Sequence, residues 1–207
     1  MPRLLIAAFA LLLAGCGTAK PESLSNSGEP ASAAPVAAER PSDADLQAKW
    51  WTWALSSPEN RNPVVDDTGQ WCAENQPKDM WFLAGTFGGE VERTCEVPAG
   101  RPIAAPAVNR YSANTSSCKS FMAAAKGSMT LDGQVVEVRR VEAVEITFQA
   151  ARDNATGESA GRHTVQACGL WAWLPPLRAG EHELKIVGES GDFSTSATYR
   201  LKASAGD

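Results

Sequence analysis

The clearest pattern in the chain is an alternation of apolar and polar side chains near its C-terminal end. From 193 to 201 apolar side chains recur at almost every second position, which predicts a strand with one buried face. The segments 90–97 and 144–148 alternate in the same way. Between them, Asp132-Gly133 predicts a tight hairpin turn that leads into a strand through 136–138. Several short strands with one buried face are therefore expected.

A helical period precedes these strands. Apolar residues between 46 and 54 recur at spacings of three to four, which places them on one face of a helix. Ser42 or Asp43 can cap the start of this helix with its side-chain oxygen. The segment 56–58 ends it, because a proline disfavours helical geometry in the residue before it.

A second helical segment is expected at 117–126, with Gly127 as its C-cap. Together these elements predict a mainly β protein, an immunoglobulin-like or related β-sandwich with one N-terminal helix and one short helical insertion. The segment 174–186 resembles the turn that leads into the penultimate strand of many immunoglobulin-like domains.

The N-terminal segment has the three parts of a secretion signal. Arg3 is positively charged, 4–13 are apolar, and the small residues Ala14 and Gly15 precede Cys16. The apolar run is about half as long as a membrane-spanning helix. The sequence Leu-Ala-Gly-Cys resembles the lipobox at which bacterial lipoproteins are cleaved, here between Gly15 and Cys16.

This resemblance implies that Cys16 carries diacylglycerol and that its new amino group is also acylated, commonly with palmitate. Two or three chains make membrane attachment effectively permanent. Gly17 is not the aspartate that retains lipoproteins in the inner membrane, so the rule implies an outer membrane facing the periplasm if the organism has two membranes. An ordinary signal peptide with a chance cysteine is the alternative.

The remaining chain divides into a tether, a domain and a tail. The segment 16–41 is rich in Pro, Ser and Ala and has no aromatic residue, which predicts a disordered spacer or, less favoured, a peptide ligand. One domain is expected at 42–203 and a disordered tail at 204–207. The net charge of −5, or −6 without Arg3, argues against nucleic acid as a partner.

Four cysteines lie beyond the lipobox, in positions that suit disulfides. No C-x-x-C pair occurs and the chain has two histidines, so a zinc site is not expected. An even number in an oxidising compartment allows three connectivities. Shorter loops favour the pairs Cys72–Cys95 and Cys118–Cys168.

The chain has seven tryptophans and two tyrosines. Trp171 and Trp173 share one face of a segment whose other face is also apolar, which favours a central strand covered on both sides. The alternative is a sugar-binding platform of exposed indoles. Trp51 lies off the apolar stripe of the first helix and is the third candidate for such a platform.

Reaction chemistry leaves no signature in the sequence. G-x-S-x-G, H-E-x-x-H and phosphate-binding glycine motifs do not occur, and no cofactor or catalytic residue is predicted. His163 and His182 are expected to be surface or half-buried residues. Carboxylates near Cys72, above all Asp66, Asp67 and Asp79 with Glu74, could bind calcium or form a glycosidase pair, but such groups usually cap turns.

A longer set of motifs resembles a family of uncharacterised secreted bacterial proteins. The motifs are W-W-x-W at 50–53, W-F-L-A-G-T-F-G-G at 81–89, R-x-C at 93–95 and V-P-A-G at 97–100. The resemblance spans about 48–200 and implies common ancestry without assigning an activity. The glycines of the second motif are also explained by a strand followed by a tight turn.

Three functions follow from these patterns. The favoured one is a non-enzymatic envelope lipoprotein, held to the membrane through Cys16, whose domain binds an envelope protein or has a structural role. The second is a module that binds polysaccharide or peptidoglycan through exposed tryptophans. The third is a hydrolase or calcium site on the aspartate cluster.

Overall fold

Two β-sheets and two helices make up the domain. The computed structural model describes residues 39–204. A single 3-10 turn, Glu59–Arg61, follows the first helix. The elements, in chain order, are α1 (Asp43–Ala54), β1 (Trp81–Phe82), β2 (Gly89–Pro98), β3 (Ile103–Ser112), α2 (Thr115–Ala124), β4 (Lys126–Leu131), β5 (Gln134–Val135), β6 (Arg139–Ala150), β7 (Gly161–Leu174), β8 (Gly180–Ser190) and β9 (Phe193–Ser204).

Helix α1 begins where the sequence predicted. The Ser42 side chain accepts a hydrogen bond from the backbone N–H of Asp45 at 3.1 Å, so Ser42 is the cap. Asp43 and Asp45 lie in the first turn, where negative charge favours the helix dipole. The helix ends at Ala54, ahead of the Ser-Ser-Pro segment.

The strands form a four-stranded sheet in the order β1-β3-β7-β6 and a five-stranded sheet in the order β2-β9-β8-β4-β5. The pairs β1–β3 and β2–β9 are parallel and the other pairs are antiparallel. Apolar residues of both sheets form one cluster between them. The prediction of a mainly β, sandwich-like protein with an N-terminal helix and a helical insertion is confirmed.

A second core lies on the other face of the four-stranded sheet, beneath α1. Strand β7 contributes to both cores, because Trp171 points into the cluster with α1 whereas Ala172 and Leu174 lie in the cluster between the sheets. The predicted central strand with two apolar faces is confirmed.

Two disulfides brace the domain, and both follow the favoured pairing. Cys72–Cys95 joins the loop before β1 to β2. Cys118–Cys168 joins α2 to β7. Helix α2 thereby becomes part of a third apolar cluster at the edge of the sandwich.

Two local predictions were wrong. Gly127 is not the C-cap of α2, which ends at Ala124 with Ala125 as its cap, because Gly127 already belongs to β4. A side chain there would collide with Ala107, whose Cβ would lie 2.7 Å away. The strand after the Asp132-Gly133 turn comprises only Gln134–Val135 and does not continue through 138.

Candidate functional site

An aromatic groove of about 300 Å³ lies between α1, α2 and the ends of β3, β8 and β9. Trp51 enters it from α1 and is 5% exposed, whereas Phe87 enters from the β1–β2 loop and is 45% exposed. The rings of Trp51 and Tyr111 meet edge to face at 4.6 Å. The aromatic lining residues are Trp51, Phe87, Tyr111, Phe121 and Phe193.

A smaller cavity of about 50 Å³ adjoins the groove. It shares Trp51, Phe87 and Phe193 with the groove and extends to Gly85 and Thr195. The combined space is at the lower end of the range for small-molecule binding sites. Its walls are mainly apolar, with a few polar groups.

The loop that carries Phe87 is held by backbone hydrogen bonds. The N–H of Thr86 donates to Oγ1 of Thr195 at 2.6 Å, and the N–H of Gly88 donates to Oγ1 of Thr86 at 3.0 Å. Gly88 has a φ of 126°, which a residue with a side chain rarely adopts. The glycines of the W-F-L-A-G-T-F-G-G motif therefore make a tight turn, and this turn presents Phe87 to the groove.

Arg93 fixes the start of the same loop from within the protein. Its side chain is 1% exposed, and Nη1 donates to the carbonyl oxygens of Ala84 at 3.0 Å and Gly85 at 2.9 Å. In the sequence, Arg93 stands out only as part of the R-x-C motif at 93–95. Three glutamates on β2 lie on the face opposite Arg93. Because these glutamates are expected at the surface, the alternation indicated that Arg93 faces inward.

Two polar groups at the groove have partners within the domain. The Tyr111 hydroxyl donates to Oε1 of Glu158 at 2.7 Å. Burial of this phenol raises the pKa of Tyr111 to about 12, and the Glu158 carboxylate adds to the effect, so the phenol is neutral. Oγ of Ser190 donates to the carbonyl oxygen of Phe121 at 2.7 Å.

Two other polar groups of groove-lining residues are buried and have no acceptor among residues 39–204. They are Nε1 of Trp51 and Nδ2 of Asn109, which are both hydrogen-bond donors, whereas the guanidinium of Arg110 is exposed to solvent. The Arg110 guanidinium lies 6.0 Å from the centre of the Phe121 ring. The groove thus combines apolar walls with donors that a bound acceptor would satisfy.

Trp171 and Trp173, for which an exposed platform was the alternative to a core position, lie in or against the core beneath α1. Trp171 is 1% exposed and packs edge-on against Trp50, with 5.8 Å between the ring centres. Trp173 is partly buried against the core beneath α1. These two indoles do not form an exposed stacking surface, because α1 covers their face of the sheet. Trp51 lines the aromatic groove instead.

The predicted carboxylate cluster is dispersed. Asp66 accepts hydrogen bonds from Thr68 and from the N–H of Trp71, so it caps its own loop. Partial burial acts to raise the pKa of Asp66, but these hydrogen bonds outweigh it and hold the pKa below its usual value. Within 39–204, no group of three or more His, Cys, Asp or Glu side chains is placed to hold a metal ion.

The other carboxylates of that cluster have separate surroundings. Oδ2 of Asp79 accepts a 2.6 Å hydrogen bond from Lys49, which lowers the pKa of Asp79. Glu74 forms an ion pair with Arg61, and Asp67 is exposed. Among residues 39–204, Asp66, Asp67 and Asp79 do not form a group that could hold a calcium ion.

The two histidines occupy half-buried positions. Nε2 of His163 lies 2.7 Å from the carbonyl oxygen of Ser159. Nδ1 of His182 lies 2.7 Å from Oδ2 of Asp132. Neither residue lines the aromatic groove.

The lipobox, including Gly15 and Cys16, and most of the tether lie outside the described residues. In the part of the chain that the structure covers, no helix is long and apolar enough to cross a membrane.

No protein-family model matches the chain. No curated protein is similar enough to count as a match.

Proposed function

We propose that the protein is a lipid-anchored lipoprotein of the bacterial cell envelope whose domain binds a ligand in the aromatic groove. The lipobox-like Leu-Ala-Gly-Cys sequence supports the anchor on Cys16. The disulfides Cys72–Cys95 and Cys118–Cys168 suit an oxidising compartment outside the cytoplasm. By the rule for the residue after the lipidated cysteine, the site of attachment is the outer membrane, facing the periplasm, in an organism with two membranes.

The observation that carries the binding role is the set of five aromatic side chains around one groove. Apolar concave sites with a few placed polar groups are where proteins bind small ligands. Phe87 remains 45% exposed on a loop that Arg93 and Thr195 hold in place. Exposing a large aromatic ring on a rigid loop is unfavourable in water, which supports a role in contact with a ligand.

The domain is also proposed to be immunoglobulin-like in topology. If β1, β3, β6 and β7 are named A, B, D and E, their sheet order is the A-B-E-D order of that fold. With β4, β8 and β9 as C, F and G, the second sheet has the matching C-F-G order. His182 then lies near the start of strand F, where its Nε2 is 3.0 Å from the Arg178 carbonyl oxygen. Membership in the family of secreted bacterial proteins is likewise proposed, on the motifs at 50–53, 81–89, 93–95 and 97–100.

The anchor is tested by metabolic labelling of the producing bacterium with radioactive palmitate. We expect the wild-type protein to be labelled and the Cys16→Ser variant to remain unlabelled. Cys118→Ser is the matched control, because it removes a different cysteine and should leave labelling intact. Equal labelling of wild type and Cys16→Ser would refute the anchor.

The binding role is tested by calorimetry on the full chain in lipid nanodiscs, with empty nanodiscs subtracted. The probe is naphthalene-2-carboxamide, a neutral aromatic compound. We expect saturable binding that Phe87→Ala weakens by about threefold to tenfold, the range for one aromatic contact. Val135→Ala removes a more exposed apolar side chain elsewhere and should have no effect.

A carbohydrate ligand is the second candidate, because Trp51 and Tyr111 offer aromatic rings and Asn109 an amide to one groove. The same calorimetry with soluble peptidoglycan fragments separates the two. Saturable binding of the fragments that depends on Phe87, without binding of the naphthalene probe, would replace the first candidate by the second.

A further inference from the structure

We propose that the aromatic groove binds a small aromatic carboxylate, with the ring between the aromatic side chains and the carboxylate against Arg110. The proposal deepens the binding role assigned above and rests on it. It identifies the ligand class from the polar groups that the groove leaves without partners.

The apolar part of the ligand follows from the walls. Trp51, Phe87 and Phe193 line both the groove and the cavity below it, and Tyr111 and Phe121 complete the groove. Rings in proteins favour edge-to-face and offset contacts with other rings, which a planar ligand ring can make on several sides. A combined space at the lower end of the small-molecule range fits one or two fused rings.

The polar part follows from the direction of the unused hydrogen bonds. Trp51 Nε1 and Asn109 Nδ2 have no acceptor within residues 39–204, and the exposed guanidinium of Arg110 offers further donors at the groove. The hydroxyl groups of Tyr111 and Ser190 already donate to protein oxygens. A ligand with acceptor oxygens can accept hydrogen bonds from the remaining donors. A ligand that offers only hydrogen-bond donors would find few acceptors in the groove.

The charge of the lining selects an anion. Within residues 39–204, Arg110 is the one charged side chain that lines the groove, and no Asp or Glu lines either space. The planar guanidinium can donate two parallel hydrogen bonds to a carboxylate. One unit of negative charge also matches one guanidinium, whereas a doubly charged phosphate would leave a charge uncompensated.

Trp51 differs from two other buried tryptophans whose Nε1 lacks an acceptor. Trp81 and Trp171 also have an unpaired Nε1, but neither residue lines the groove. Arg110 further stands over Phe121, where the cation is attracted to the ring face and is held near the groove.

The test compares three probes with the same naphthalene ring on the full chain in lipid nanodiscs. The probes are naphthalene-2-carboxylate, its neutral amide and the cationic naphthylmethylamine. We expect the carboxylate to bind about tenfold more tightly than the amide, as for a hydrogen bond to a charged group, and the amine to bind weakest.

Arg110→Gln should remove the preference for the carboxylate while the amide still binds. Arg162→Gln, an exposed arginine on β7 that does not line the groove, should retain the preference. Thermal unfolding midpoints of both variants show that the fold is intact. Trp51→Phe keeps a ring but loses Nε1–H and should weaken the carboxylate selectively.

The outcomes separate this proposal from the binding role. Equal affinity for the carboxylate and the amide, or a preference for the amine, would overturn the carboxylate proposal and leave the groove as a binding site. Retention of the carboxylate preference in Arg110→Gln would also overturn it. Absence of binding by all three probes would overturn both the carboxylate proposal and the first candidate, an aromatic ligand in the groove.

Discussion

Nη1 of Arg93 donates a 2.6 Å hydrogen bond to the hydroxyl oxygen of Tyr199, and both side chains are almost fully buried. The Tyr199 hydroxyl in turn donates to the carbonyl oxygen of Ala84 at 2.7 Å. Nε and Nη2 of Arg93 donate to the carbonyl oxygens of Asp66 and Val64. The guanidinium of Arg93 therefore donates to neutral oxygens, and these hydrogen bonds together offset the free-energy cost of removing its charge from water.

Replacing Arg93 should destabilise the protein severely. In Arg93→Met the buried carbonyl oxygens of the 64–66 loop and of Ala84-Gly85 lose their donor. We expect a loss of at least about 3 kcal/mol in the free energy of unfolding, measured with urea. Arg200→Met on the exposed face of β9 is the control and should change it by less than about 0.5 kcal/mol. Equal effects of the two substitutions would contradict this role of Arg93.

The contact between Gly85 and Thr195 gives a second prediction. A Cβ on Gly85 would collide with the Thr195 side chain, so Gly85→Ala should cost about 1–3 kcal/mol of stability. Thr195→Ala removes the colliding atoms. Stability of the double variant should therefore exceed the value expected from adding the two single effects. Simple additivity would show that the strain of Gly85→Ala arises elsewhere.

His182 makes stability depend on pH. Its Nδ1 and Nε2 both face acceptors, Asp132 and the Arg178 carbonyl, and only a protonated imidazole donates to both. The hydrogen bond with Asp132, followed by that with Arg178, raises the pKa of His182 above its unfolded value of about 6.5. This stabilisation is complete below that pH and disappears as pH rises through the folded pKa.

The free energy of unfolding of the wild type should therefore fall as the pH rises above about 6.5 and through the folded pKa of His182. His182→Gln should flatten this part of the profile, whereas His163→Gln should retain it. At the acid end, the hydrogen bond from His182 lowers the pKa of Asp132, so that contribution is present above about pH 4 and lost as pH falls further. Urea titrations at a series of pH values measure the free energy of unfolding at both the alkaline and the acid end. If its pH dependence above about 6.5 were unchanged in His182→Gln, His182 would not be its source.

The two disulfides should contribute unequally. Cys118–Cys168 closes a sequence separation of 50 residues and Cys72–Cys95 one of 23. The chain-entropy relation then gives about 4 kcal/mol for the first and about 3 kcal/mol for the second. Paired Cys→Ala variants of each bond, unfolded with urea, should show the larger loss for Cys118–Cys168. The reverse order would show that strain or residual structure outweighs chain entropy.

Local signals in the sequence predicted local structure well. Ser42 capped the first helix as expected, and the alternation at 193–201 became β9, because capping and a period of two depend only on neighbouring residues. Gly127 was misassigned because its small size serves a close approach to Ala107 on another strand. Such a contact leaves no trace in the residues around the glycine.

The groove could not be predicted for a similar reason. Its aromatic residues come from α1, the β1–β2 loop, β3, α2 and β9, so no segment contains more than a small part of it. The motif at 81–89 did indicate a tight turn, but only the fold shows that Phe87 and Trp51 line the same groove. The carbonyl acceptors of Arg93 are likewise brought together by tertiary structure.

The parallel pairing of β2 with β9 has a consequence for how the domain assembles. The first long strand of the domain is held along its whole length by the last one, from Gly89 opposite Thr195 to Pro98 opposite Ser204. Until that last strand emerges, β2 and β8 both present open edges, and closure requires contacts between residues that are far apart in the sequence. Completion of the five-stranded sheet is therefore a late event in synthesis. The export that we propose would benefit from this order, because the domain cannot finish folding before its last strand has been made.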